Sequence, residues 1–428
     1  MARFAPHLIG HLIHHLIRGR PVLASAPAPV LALIVTLGAA PAAAQDDGGG
    51  VQYRLGVSQD LRLQSRTSGT EASARTGLSF GYVTETRTQR LGFGASGALE
   101  IGPGRRSRIL SDPSLSLDYR RDSPRARLEL EAFLNRQRLD RTELIVDLDD
   151  AGDLIFETLA TTARRERVGG RARLEFGRDA PFGGTFSLGE TRTRFSGTAS
   201  PDLVDNRRRN AGLDLRFDLS PVMRVTTGLD VAQFRETGAA QRQTETLSLG
   251  VAIDRPDGEY ALDASLARRP EATRHSLVLR RQITLPESRL ALRFGLSGVQ
   301  GGHTRIIGGV DWQRNLPEGA ITLGLERGFR GDIRDRETET TRLTVSGRQT
   351  FTPVLSGSAS LGLQETRRLD DGSRGQGGDL SVSLRYALTP DWGLSAGASH
   401  SLRRSDGADD QRTTSVFLTL DREFLARR

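Results

Sequence analysis

The chain has 428 residues, of which 60 are basic and 52 acidic, with 36% hydrophobic residues, 48 glycines and no cysteine. A mean hydropathy of −0.39 excludes a bundle of transmembrane helices, which needs apolar runs of about 20 residues. It does not exclude a membrane barrel, in which only alternate residues meet lipid. The pI of about 10.7 would suit nucleic acid, but acids and bases are interspersed along the whole length with no basic block beside an aromatic platform, so no nucleic-acid partner is expected.

In chain order, residues 1–44 read as a cleaved secretory signal peptide. Arg3, Arg18 and Arg20 supply positive charge, Val30 to Leu37 an apolar stretch too short to span a bilayer, and Ala42-Ala43-Ala44 the small-residue cleavage site. His7, His11, His14 and His15 then belong to a discarded leader rather than a metal tract. Residues 45–50 read as a short flexible N-terminus, and residues 51–428 as a single domain.

From Val51 onward one type of unit repeats. Segments such as VQYRLGVSQDLRLQS, RARLELEAFLNRQ and LSVSLRYAL alternate apolar and polar residues, a period of two that gives an extended strand one apolar and one polar face. A polar loop is expected at residues 66–73. Pro181, Pro221, Pro256, Pro286, Pro317, Pro353 and Pro390 recur about every 35 residues, the length of one hairpin of membrane-spanning strands. Proline presets a turn and cannot sit in the hydrogen-bonded middle of a strand. This period predicts an all-β fold, a closed antiparallel transmembrane β-barrel of about 20 strands, with 18 the nearest alternative.

The aromatics Tyr119, Phe176, Phe186, Phe217, Tyr260, Trp312, Phe351, Tyr386 and Trp392 all lie within about five residues of a turn. A soluble sandwich would place such rings in mid-strand, so they are read as a girdle at one membrane interface. Arg281 and Arg422 fall on the apolar phase and are the weakest points of this pattern.

On the polar phase, Arg127, Arg171, Arg173, Arg216, Arg280, Arg293, Arg342 and Arg385 are candidate lumen-lining residues. Glu129, Glu131, Glu175, Asp214, Asp230, Asp263 and Glu326 balance them. Near balance predicts cross-strand ion pairs and only a modest preference for anions.

Residues 139–162 form the longest excursion. Asp147, Asp149, Asp150 and Asp153 offer hard oxygen ligands for Ca²⁺, but the spacing departs from an EF-hand loop. The favoured reading is a hairpin of ELIVDL and LIFETL, either above the membrane or folded into the lumen. No other metal and no cofactor is expected.

Patterns that imitate chemistry are discounted. Gly92, Gly94 and Gly97 match a dinucleotide fingerprint inside a strand, where no helix N-terminus can hold a pyrophosphate. Two G-x-S-x-G matches, 77–81 and 393–397, lack a strand-to-helix turn. A hydrolase site at His400 is disfavoured because Ser399 and Ser401 point to the opposite face, so the chain is not expected to be an enzyme.

The closing hairpin ends SVFLTLDREF, and Phe424 is read as the strand end that closes the barrel near Tyr53. With Ala42-Ala43-Ala44 and the turns in FDLSPVM and YALTPDWGL, this ending resembles the porin-like outer-membrane β-barrel proteins of Gram-negative bacteria, over nearly the whole chain after residue 44. The resemblance implies secretion through the inner membrane, lipid and the barrel-assembly machinery as partners, and passive or weakly selective passage of small hydrophilic solutes. The alternatives are an export conduit for an acidic polysaccharide and a structural or adhesive barrel with a closed lumen.

Overall fold

The structure is a computed structural model that describes residues 50–66, 69–101, 111–139, 143–148, 154–159, 163–197, 203–270, 272–331, 337–369, 372–406 and 410–427. The expected leader therefore lies outside the described residues. The strands are β1 (Gly50–Arg66), β2 (Gly69–Glu85), β3 (Gln89–Ile101), β4 (Ser111–Asp122), β5 (Ala126–Leu139), β6 (Glu143–Leu148) and β7 (Leu154–Leu159). They continue as β8 (Ala163–Phe176), β9 (Phe182–Ser196), β10 (Asn206–Ser220), β11 (Met223–Glu236), β12 (Arg242–Arg255), β13 (Gly258–Arg268) and β14 (Thr273–Thr284). The last are β15 (Ser288–Val299), β16 (Thr304–Leu316), β17 (Gly319–Gly331), β18 (Glu337–Thr352), β19 (Leu355–Arg368), β20 (Arg374–Ala387), β21 (Trp392–Ser405) and β22 (Gln411–Arg427).

Twenty of these strands form one antiparallel sheet in which β1 pairs with both β2 and β22, so the sheet closes on itself. Closure removes the two sheet edges that lipid could not solvate. The seven prolines at Pro181 through Pro390 all fall in short turns at one end of the barrel, as does Pro124. The loops at the opposite end join the other half of each hairpin. At residues 66–73 the expected polar loop is largely ladder instead: β1 runs to Arg66, which pairs with Gly69. Cross-strand pairing of these polar residues outcompetes a loop wherever the backbone can continue the ladder.

β6 and β7 pair only with each other, in a two-stranded sheet of their own. This matches the expected hairpin. Asp147 stands in β6, while Asp149, Asp150 and Asp153 lie outside the described residues.

The ladder sorts every strand into two faces. One carries Leu247, Leu249 and Leu279, each more than half exposed at 53–54%. The other carries the charges. Side chains of next-nearest strands converge on the concave side of a closed sheet, and here they do so on the charged face. Arg385 of β20 reaches Asp421 of β22 over Gly393 of β21, with Nη2 2.7 Å from Oδ2. The charged face is therefore the inner one, and the apolar face forms a belt outside. Substantial packing between strands runs only along the ladder, and among the described residues no large side chain is fully buried. Among the described residues the interior is thus lined rather than filled.

Candidate functional site

By register, all fifteen charged residues picked out in the sequence share the inner face. The densest group spans β4, β5 and β8. There Arg127, Glu129 and Glu131 stand opposite Glu175, Arg173 and Arg171 on one side. On the other side they stand opposite Asp122, Arg120 and Asp118. Arg127 Nε lies 2.7 Å from Asp122 Oδ1, and Arg173 Nη2 lies 3.1 Å from Glu175 Oε1. Glu129, Glu131 and Arg171 form no direct ion pair among the described residues.

Farther round, Arg280 Nε lies 2.5 Å from Asp263 Oδ2. Arg293 pairs with Asp311 at 2.7 Å and reaches Glu326 at 3.9 Å. Arg342 donates to Gln364 Oε1 at 2.9 Å. Arg385 holds Asp421 through both terminal nitrogens, at 2.9 and 2.7 Å. A side chain at Gly393 would strike the Arg385 guanidinium, which is why the intervening strand carries a glycine there.

Arg216 departs from the expected pattern. Its Nη2 donates to the carbonyls of Gly177, Arg178 and Ala180 at 2.9, 3.1 and 3.0 Å. It therefore ties down the turn between β8 and β9, where Gly177 adopts a φ of +62° that favours glycine. Asp214 and Asp230 stand opposite Gly228 and Gly212 respectively, and neither forms an ion pair among the described residues.

Several inner-face features escaped the sequence reading. Phe133, Phe234 and Phe417 point inward, and Arg242 stacks on Phe234 with its guanidinium carbon 4.9 Å from the ring centre. At the loop end, Leu203 is buried against Leu139 and Ala163, with Phe195 packed alongside. Asp205 Oδ1 accepts a hydrogen bond from the Phe195 backbone at 2.7 Å, holding this loop against the wall. A periodicity of two assigns a face but carries no signal for a loop that folds back onto it.

The nine turn-end aromatics all fall on the outer face. Tyr53, Tyr82 and Phe182 join them there: the rings of Tyr53 and Tyr82 are 5.3 Å apart, and Phe182 bridges Phe176 and Phe217 at 6.1 and 5.0 Å. Phe424 stands opposite Leu55, while Ala426 stands opposite Tyr53. Phe424 is therefore not the strand end that the sequence suggested, because the ladder with β1 continues to Arg427. The ladder continues through Leu425 and Ala426 because their backbones still find partners in Arg54 and Tyr53 of β1.

The discounted motifs lie within strands, with Gly97 at a register shift between β3 and β4. Gly92 makes room for the carboxylate of Asp118, and the two G-x-S-x-G stretches sit inside β2 and β21. His400 is on the outer face, with Nδ1 2.9 Å from Thr414 Oγ1, whereas Ser399 bonds Ser415 on the inner face. His400 and Ser399 therefore do not meet. Among the described residues no group of three or more His, Asp or Glu is placed to hold a metal.

A closed 20-stranded barrel with an apolar outer belt, a turn-end aromatic girdle and a charged inner wall has the architecture of a transmembrane β-barrel. No protein-family model matches the chain, and no curated protein matches it. Solved structures that align with it include Pseudomonas aeruginosa OpdK with vanillate, at 12% identity and a TM-score of 0.39, covering 87% of this chain and 99% of that one. Pseudomonas aeruginosa OccK2 in complex with glucuronate aligns at 11% identity and 0.43, covering 87% and 98%. The copper transporter OprC aligns at 12% identity and 0.47, covering 89% and 81%.

Proposed function

We propose that the barrel is a channel in the outer membrane of a Gram-negative bacterium, passing small hydrophilic solutes passively with a modest preference for anions. The observation that carries this reading is the inner wall, polar on all twenty strands and crossed by no described strand. A barrel of this strand number has a lumen wide enough for water. Ion pairs such as Arg280–Asp263 and Arg385–Asp421 stiffen the wall without adding net charge. The excess of arginine on β8, where Arg165, Arg167, Arg171 and Arg173 occupy inner positions, supplies the anion preference. The same row favours the second reading, a conduit for an anionic polysaccharide, because it would guide a polymer along the wall.

The test is swelling of liposomes containing the purified full-length protein in isotonic solutions of sugars of increasing size. Swelling that falls off with solute size supports a passive channel. Liposomes that hold folded barrel yet stay impermeable to every sugar would leave the polysaccharide conduit or a closed barrel as the better reading.

A further inference from the structure

Above the apolar belt, at the loop end, the outer face of β9, β10 and β11 carries a concentrated positive patch. Arg192, Arg207 and Arg235 stand side by side in one row of the ladder. Immediately below, Glu190 stands opposite Arg209, and Arg194 lies above. Glu190 receives three guanidiniums: Arg207 Nη2 at 2.6 Å, Arg192 Nε at 2.8 Å and Arg209 Nε at 3.0 Å. Arg194 and Arg235 are exposed and form no ion pair among the described residues. Three guanidiniums thus share the Glu190 carboxylate, while Glu166, opposite Arg194, is itself held by Arg136 at 3.0 Å. Each guanidinium carries five donors, so a single carboxylate leaves most of them unused.

The rows beneath give the patch its depth. Leu188, Ala211 and Val231 lie below Glu190, followed by Leu213 and Leu229 of the belt, with Phe186 of the turn-end girdle opposite Leu213. The arginines therefore stand where acyl chains give way to headgroups, on the side of the barrel that faces lipid rather than lumen. Across its three strands the patch is about 10 Å wide at the usual strand spacing. Elsewhere at this end Arg327 pairs with Glu339, and Arg404 and Arg412 share Asp410, so no other carboxylate there receives three guanidiniums among the described residues.

We propose that this patch is a docking site for the phosphorylated headgroup of an outer-leaflet glycolipid. Phosphate accepts the paired N–H groups of a guanidinium in a bidentate fork, and Glu190 holds three of those forks in place before the lipid arrives. The apolar rows below receive the acyl chains of the same molecule. The inference rests on the outer-membrane reading, with the loops on the outer side.

The experiment measures binding of bisphosphorylated lipid A to the full-length protein in detergent by native mass spectrometry, with dephosphorylated lipid A as comparison. Wild-type protein is expected to retain the phosphorylated lipid selectively. Arg192→Gln with Arg207→Gln weakens retention roughly 30-fold, and adding Arg194→Gln with Arg235→Gln weakens it by a similar factor again. Arg404→Gln with Arg412→Gln, in another sector, leaves it unchanged. Equal retention of the two lipids by wild-type protein overturns the proposal, and so does equal retention by folded variants. Displacement of the lipid by inorganic phosphate at matching concentration also counts against it, since that would indicate an ion site rather than a lipid site. If the variants do not give a heat-modifiable barrel, the wild-type comparison of the two lipids decides. Failure of the outer-membrane reading is separable: the protein would then fractionate with another compartment, whatever it binds in detergent.

Discussion

Arg281 stacks on Tyr260, its guanidinium carbon 3.9 Å from the ring centre, with the two residues directly opposite on β14 and β13. Both are on the outer face, where an arginine at mid-depth would cost about 2–4 kcal/mol. Its position at the girdle removes that cost. The aliphatic stem stays against the barrel while the head pairs with Asp257 in the turn and donates to the Gln282 carbonyl at 2.9 Å. Arg422 repeats the arrangement, lying 5.1 Å from Trp392 and 4.2 Å from Phe424. A double-mutant cycle on Arg281→Ala and Tyr260→Ala, read by urea unfolding in detergent, is expected to give a coupling of about 1 kcal/mol. A coupling near zero would mean that the stacking contributes nothing.

Arg216 should matter to the turn more than to the pore. Arg216→Ala leaves the carbonyls of Gly177, Arg178 and Ala180 without a charged donor and is expected to cost about 2 kcal/mol in unfolding. Arg216→Lys, a point charge without the planar fork, recovers only part of it. Ion selectivity should barely change in either variant, and a large change would return Arg216 to the pore.

Selectivity should instead follow residues whose charge is not neutralised on the wall. Arg167→Glu with Arg171→Glu shifts the reversal potential in a salt gradient toward cations, whereas Asp214→Asn with Asp230→Asn shifts it toward anions. Opposite shifts from the two pairs are the expected outcome. Shifts of the same sign, or none, would show that permeating ions do not pass these positions.

Asp410, in the loop before β22, has its carboxyl held below the usual range, first by hydrogen bonds from Arg404 at 2.9 and 2.8 Å. A depressed folded-state pKa contributes stability that is present above the unfolded value and lost as the pH falls through the folded one. The protection of amides at the loop end of β21 and β22, relative to their intrinsic exchange rate, should therefore fall on acidification below the carboxylate range. Asp410→Asn should show quick exchange already at neutral pH and lose this pH dependence. Unaltered exchange in that variant would mean that the ion pair does not hold the hairpin end.

The barrel was legible because its two constraints, alternation and turn spacing, act locally. Leu213, Leu215 and Phe217 declare their face through their neighbours, and Pro181 to Pro390 mark one end of nearly every later hairpin. The details were less legible because they depend on which strands meet. Tyr53 and Tyr82 join the girdle only once β1 is paired with β2. The outer-face arginines of β9 to β11 look like scattered charges along the chain and become a patch only through lateral register. Phe133 and Phe234 are apolar, yet the ladder turns them inward.

Single-channel recording of the full-length protein in a planar bilayer tests most directly whether the lined interior is an open path. Stable, roughly ohmic conductance steps that grow with salt concentration are expected, with a reversal potential slightly favouring anions. A protein that inserts and remains heat-modifiable, yet never conducts, would contradict an open path.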